Sequence, residues 1–434
     1  MRRPWSRTAT WAAGAVSLVL LASGCDSSGS SGSRGGGGES GDLTVWLTID
    51  ARESWPDLIT TTNKRFAERY PDVTVKVQYQ QWTSKNQKID AALAGRDVPD
   101  VVEMGNSETT NYIINGAFTA VDEADFDHSG DWLPALADAC RLDGKTYCVP
   151  YYAGARVGIY RTDLLKQVGV VKPPASYPEM IQVLDKLKAR FGASNKKFSA
   201  FYMPGRYWNA AMAYVKDAGG EMAVQKDGRW RGALSSPESI KGLTAWKKLI
   251  DDYYTGDRSK DNSDEPGVVG QGNVGMFYGN TWEANAAADP RAGGNPAMRG
   301  KFATFPFPGP SGELMPPFLG GSMLAIPAKS KKADAAKEWI RLFTDRESQR
   351  QLIKAETLPN NTVQLREVPA DGINGAAAVA ATRGWVTPLA PGWVAVEKSN
   401  VLPAMLQSIA TGKKSIEDAT RDADREIDAV INDN

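Results

Sequence analysis

From Asp42 to Ile114 the chain alternates strand-like and helix-like stretches, and this alternation restricts its fold more than any other feature. Asp42 to Ile49 (DLTVWLTI) puts apolar residues at every second position, the period of a strand with one buried face. Trp55 to Tyr70 then spaces Leu58, Ile59, Phe66 and Tyr70 as one face of a helix, which Pro71 stops. Val73 to Tyr79 alternates again and Lys85 to Ala94 is helical. Pro99-Asp100-Val101-Val102 reads as a short buried strand running out at Glu103-Met104-Gly105-Asn106, after which Ser107 caps a helix through Ile114. Strands joined by helices in this order form a parallel sheet, so the fold class is α/β. Ligands of such sheets bind beyond the carboxyl ends of the strands, which puts Asp50, Arg52, Glu103 and Asn106 beside a cleft.

A chain of 434 residues is too long for one ordinary core and suits two domains. The middle offers strands at Val157 to Tyr160, Val274 to Tyr278 and Met323 to Ile326. Helices are expected at Tyr177 to Phe191, Trp208 to Lys216, Pro237 to Tyr254, Lys331 to Phe343 and Glu347 to Ala355. The tail is amphipathic helix from Lys398 to Ala410 and from Ile416 to Ile431, with Gly412 between. Proline and glycine gather at Phe305 to Pro317, which marks a loop or a crossing.

Arg2, Arg3 and Arg7 precede an apolar run from Trp11 to Ala22, the pattern of a secretory signal over residues 1–24; the run is too short to span a bilayer. Leu21-Ala22-Ser23-Gly24-Cys25 resembles the lipobox of bacterial lipoproteins, which implies lipidation at Cys25 and a location on the outer face of the cell membrane. An ordinary signal peptide is the alternative, and Arg2-Arg3 is a thin twin-arginine motif. Residues 25–41 are mostly Ser and Gly, the composition of a flexible tether. Loss of residues 1–24 takes three arginines and no acids from a balance of 51 basic and 51 acidic residues, leaving a faintly acidic protein with no basic groove for nucleic acid. Cys140 and Cys148 flank a stretch whose Asp143-Gly144 is a hairpin-turn signal, which suits a disulfide; a free buried pair is the alternative. A metal site is disfavoured because His128 is the only histidine.

Catalytic chemistry needs a nucleophile, a base or a metal, and the chain is poor in all three. It has no Gly-x-Ser-x-Gly elbow, no His-Glu-x-x-His and no phosphate loop. Its acidic residues offer many carboxylate pairs for glycoside hydrolysis, and none stands out. Aromatic residues do stand out: Trp82, Tyr151, Tyr152, Tyr207, Trp208, Trp282, Trp385 and Trp393 sit at junctions flanked by Gly, Pro or Asn. A sugar ring stacks its C–H face on an aromatic ring while its hydroxyls need amide or charged partners. Gly279-Asn280-Thr281-Trp282 and Arg206-Tyr207-Trp208-Asn209 combine both. Trp46, Trp246 and Trp339 lie inside regular elements and belong to the core.

Pro99-Asp100-Val101-Val102, Val149-Pro150-Tyr151-Tyr152 leading into Gly158-Ile159-Tyr160-Arg161, Gly275 to Trp282, Gly320 to Ile326 and Ala336-Lys337-Glu338-Trp339-Ile340 occur in an order that is specific together. On these motifs the chain from Asp42 to Asn434 resembles the family 1 extracellular solute-binding proteins, the sugar-capturing lipoproteins of ABC importers. The resemblance implies a two-lobed fold with a cleft between lobes, 42–150 plus about 305–365 forming one and 151–304 plus about 366–434 the other. Hinges would lie near Pro150 to Arg156 and Phe305 to Gly321. It implies that Trp282, Trp208 and Trp393 stack sugar rings, and that Asp50, Glu103, Asn106 and Tyr152 bond hydroxyls, with Asn280 and Gly321 counted beside them. Trp82 has no counterpart in the maltodextrin pattern, although other branches place an aromatic there. The implied protein is a monomer without cofactor or catalytic residue. It captures a neutral di- or trisaccharide, maltose-like, cellobiose-like or N,N'-diacetylchitobiose-like, and hands it to an ABC permease. Pro388 to Trp393 looks most like chitobiose-binding actinobacterial relatives. A surface-tethered glycoside hydrolase is the alternative function.

Overall fold

The computed structural model describes residues 39–433; the expected signal segment and Cys25 lie outside them. Eight strands build the main sheet: β1 (Gly41–Thr48), β2 (Val73–Gln80), β3 (Val101–Gly105), β4 (Val149–Arg161), β5 (Ser199–Tyr202), β6 (Val274–Asn280), β7 (Phe302–Phe305) and β8 (Leu319–Ala325). Their order is β2-β1-β3-β8-β4-β6-β5, with β7 also paired to β4. β1 runs parallel to β2 and β3, as strand–helix alternation requires. The sheet is nevertheless mixed, because β8 lies antiparallel between β3 and β4, and β6 and β7 both run antiparallel to β4.

Burial explains the strand sequences. Leu43, Val45 and Leu47 alternate inward along β1, while every residue of β3 and β6 is buried, which suits the apolar run Val274 to Tyr278 of β6; Glu103, the one charged residue of β3, is buried with hydrogen bonds from Thr48. β2 is an edge strand, and its alternate residues, Lys76 among them, stay exposed or half-exposed. One hydrophobic cluster packs Leu43, Val45 and Val101 against Trp339 and Phe343, and a larger one joins Phe201, Trp246 and Phe277.

β4 is the organising strand. Its first half pairs with β8 and its second with β6 and β7, so one uninterrupted segment passes from one part of the sheet into the other. Sequence alternation detects only Val157 to Tyr160 of it, because Val149 to Arg156 (VPYYAGAR) shows no period of two. Gly321 lets β8 approach β4: its φ is 133°, and a Cβ there would stand 2.1 Å from the Tyr152 carbonyl oxygen.

Several helices differ from their expected extents. The helix expected from Lys85 begins at Trp82, and short helices at Ile49–Ser54, Thr281–Ala286 and Trp393–Lys398 were not expected at all. A six-residue helix shows too few turns for its period to register in sequence. Cys140 and Cys148 form a disulfide with Cα atoms 5.0 Å apart, around a two-strand hairpin whose turn residues Asp143 and Gly144 both have positive φ. Among the described residues no helix is long and apolar enough to cross a membrane, and no group of three or more His, Cys, Asp or Glu could hold a metal ion.

Candidate ligand-binding site

Beyond the carboxyl end of β1 the chain turns into the helix Ile49–Ser54, and beyond β6 into Thr281–Ala286. These two helix starts, with the middle of β4 between them, enclose a cavity of about 390 Å³. Asp50, Trp55, Tyr152, Gly154, Thr281, Trp282, Glu356, Leu358 and Asn374 are among its lining residues.

Trp282 is 54% exposed, a fraction at which a large apolar ring is left open to a ligand. Its ring rests on Gly154: a Cβ at that position would stand 3.0 Å from Trp282 Cζ3. Glycine there is what lets the indole lie against the β4 backbone. The second exposed tryptophan, Trp82 (37%), donates its indole N–H to Asp50 Oδ2 at 2.5 Å, and Lys85 Nζ lies 4.7 Å from its ring centroid. Lys85 is itself buried and ion-paired with Glu108. Asp50 is thus held at the cavity by one exposed tryptophan and shares that cavity with the other. Tyr152 packs edge-on against Trp55 at 5.4 Å, and its hydroxyl accepts from Ser322 Oγ at 3.3 Å. Burial and the nearby Glu103 carboxylate raise the Tyr152 pKa, so it remains a neutral phenol.

Trp282 stands on a buried polar foundation. Asn280 Nδ2 donates to Glu283 Oε1 at 3.0 Å, while Asn280 Oδ1 has no partner among the described residues. Glu265 faces Glu283. Burial and that opposing carboxylate push the Glu265 pKa well above its ordinary value. Arg156, two residues past Gly154, donates to the Tyr207 hydroxyl at 2.9 Å and lies over the Phe318 ring.

The structure therefore brings Asp50, Tyr152 and Trp282 to one cavity, with Trp82 bonded to Asp50 at its edge. It separates others. Trp393 is one: its ring is 2% exposed and its indole N–H donates to Glu397 Oε1 at 3.0 Å. Glu103 is another, being 2% exposed and accepting from the Thr48 backbone N–H at 2.7 Å and from the Thr48 hydroxyl, which ties β3 to the end of β1. Burial raises its pKa, the Thr48 bonds opposing the shift. Asn106 is buried and donates to the Leu319 carbonyl, and Gly321 serves strand packing. Trp208 is half-buried edge-on against Phe318 at 5.4 Å, outside this cavity. Asn280 lies beneath Trp282 rather than in the lining. Sequence reasoning missed Trp55, Gly154, Asn285, Glu356 and Asn374. The one available signal was Gly154, a glycine next to paired tyrosines and inside an otherwise strand-like run.

The family model described as bacterial extracellular solute-binding protein matches residues 62–375. The chain belongs to that family. It is a binding protein and not an enzyme, in keeping with a cleft that presents rings and hydrogen-bonding groups. The diacetylchitobiose binding protein DasA of Streptomyces coelicolor is 30% identical over 419 residues, which cover 95% of this chain and 94% of that protein. In fold, the chain is similar to the sugar-binding protein MalE of Xanthomonas citri (TM-score 0.76, 21% identity, 90% of this chain and 97% of that one). It is also similar to the GacH receptor of Streptomyces glaucescens, whose structures are unliganded and in complex with acarbose (TM-score 0.73, 22% identity, 91% and 100%).

Proposed function

We propose that this family member captures a neutral oligosaccharide in the Trp282 cavity and delivers it to an ABC permease. The observation that carries the reading is the exposed Trp282 ring on its Gly154 seat, in the same cavity as the Asp50 carboxylate that Trp82 bonds. A pyranose stacks its apolar face on the indole, and Asp50 accepts from its hydroxyls. A buried hydroxyl left unpaired costs about 1 to 3 kcal/mol, so the carboxylate and amides select the sugar while the rings hold it. Among sugars, N,N'-diacetylchitobiose is the first to test, because the relative in Streptomyces coelicolor is a diacetylchitobiose binding protein.

Residues 42–150 with about 305–365, and 151–304 with about 366–434, act as two lobes that close on the sugar, β4 being one of the segments that link them. The protein works as a monomer held at the outer face of the membrane through a lipid on Cys25. Calorimetric titration of wild type and Trp282→Ala with N,N'-diacetylchitobiose, maltose and cellobiose tests the reading. One of these sugars binds the wild type, and the variant binds it at least tenfold more weakly. Equal affinity for both proteins contradicts the site.

A further inference from the structure

A second cavity of about 600 Å³ adjoins the first and shares Asn285, Glu356 and Ile373 with it. Its remaining wall carries the half-buried ring of Phe302, the Asp289 carboxylate and the guanidinium groups of Arg291 and Arg299. Arg291 is bonded to Asp289 through Nη2 at 2.7 Å and Nε at 3.1 Å. The Arg299 backbone N–H donates to the Pro296 carbonyl, while its guanidinium has no hydrogen-bond or ion-pair partner among the described residues. The first cavity alone is near the small end of the range of ligand sites, about 300 to 1,000 Å³. The pair together is not.

The boundary between the cavities has a feature of its own. Glu356 has φ of 56°, a left-handed conformation that disfavours residues bearing a β-carbon, and its side chain is exposed at the neck. It is held there by Asn374, whose Nδ2 donates to the Glu356 carbonyl at 2.6 Å and whose Oδ1 accepts from the Thr281 hydroxyl. Thr281 immediately precedes Trp282. The strained neck is thus anchored to the helix that carries the stacking ring.

We infer that the binding site continues past Asn285 and Glu356 into the second cavity, and that the ligand is a neutral oligosaccharide of three or more units. This rests on the sugar reading above. The chemistry fits a further sugar residue: Phe302 offers an apolar face, Arg299 an uncommitted fork of donors for hydroxyl and ring oxygens, and Asp289 and Glu356 acceptors. Glu356 at the neck then contacts the unit that leaves the first cavity.

The test is titration of the full-length protein with two series, N,N'-diacetylchitobiose to its tetramer and maltose to maltotetraose, on wild type and Arg299→Ala. Arg299 is exposed and lies in the second cavity only. In the series that binds, the wild-type dissociation constant falls at least fivefold from two units to three. Arg299→Ala keeps the disaccharide affinity and the melting temperature and loses most of that gain. A disaccharide that binds with no gain on lengthening overturns the extension alone, as does a gain that Arg299→Ala leaves intact. Binding of neither series removes the sugar reading and the extension with it.

Discussion

The Trp282 ring lies on Gly154 so closely that a β-carbon at position 154 would be 3.0 Å from Cζ3 and 3.1 Å from Cη2. That separation is tighter than ordinary van der Waals contact, so a β-carbon at 154 requires the ring to give by a few tenths of an ångström. Trp282 is free to lift because its outer face is exposed. Gly154→Ala therefore tilts the shelf without opening the core, and we expect about a tenfold loss of sugar affinity, equivalent to about 1.4 kcal/mol, with little change in melting temperature. Titration and a thermal melt on the same variant measure both.

The Trp82–Asp50 bond separates stacking from orientation. Trp82→Phe keeps an aromatic face and removes the indole N–H that holds Asp50 Oδ2. If Asp50 is held for the ligand, this variant weakens binding by a few-fold, and Asp50→Asn weakens it more, because an amide replaces a charged acceptor. A Trp82→Phe variant that binds as well as wild type while Asp50→Asn does not would show that Asp50 needs no orienting partner.

Much of this arrangement is legible in the sequence. The strand–helix alternation from Asp42 to Ile114 gave the parallel core, and the glycine-flanked Trp282 stood out as a ring outside any core stripe. The burial of Trp393 and Glu103 was not legible for one physical reason: residues at strand ends and helix starts look alike in sequence whether they face a cleft or close a tertiary hydrogen bond. Only the fold shows that Thr48 occupies Glu103 and Glu397 occupies Trp393. Glu356 and Asn374 were invisible because their role depends on a backbone conformation and a contact to Thr281, 93 residues away for Asn374.

Lys85 is 1% exposed and paired with Glu108, whose carboxylate also accepts from the Gly105 backbone N–H at 3.2 Å. Removing one partner of a buried pair leaves an uncompensated charge, so Glu108→Ala should destabilise the protein by about 3 kcal/mol. Chemical denaturation checks the value. A loss below about 1 kcal/mol would mean that water reaches Lys85.

Glu397 gives a pH dependence with a definite sign. Burial raises its pKa to about 7 and the neighbouring Glu108 adds to the shift, while the Trp393 indole N–H opposes it. The folded state then holds a proton that the unfolded chain releases near 4.5, so this group's contribution to stability is complete below about 4.5 and is lost as pH rises toward about 7. Glu397→Gln should flatten that part of the stability curve. Denaturant titrations at pH 5 and pH 8 on both proteins test it; equal pH dependence in the two would contradict the assignment.

Reduction of the Cys140–Cys148 disulfide, which closes a loop of sequence separation 8, should cost roughly 2 to 3 kcal/mol by chain entropy. The double variant Cys140→Ala/Cys148→Ala melted beside wild type reads that cost, and a wild type unaffected by reductant would leave no stabilising role for the bond.

The most direct test of the central claim is a thermal-shift screen of the full-length protein against neutral mono- and oligosaccharides, with recovery of the sugar afterwards. A ligand at a hundred times its dissociation constant stabilises by about 2.7 kcal/mol. The account predicts a saturable upward shift with one class of neutral oligosaccharide, the sugar recovered intact and the shift much reduced in Trp282→Ala. A cooperative melt that no neutral sugar moves, or a bound sugar recovered as cleaved product, would contradict it.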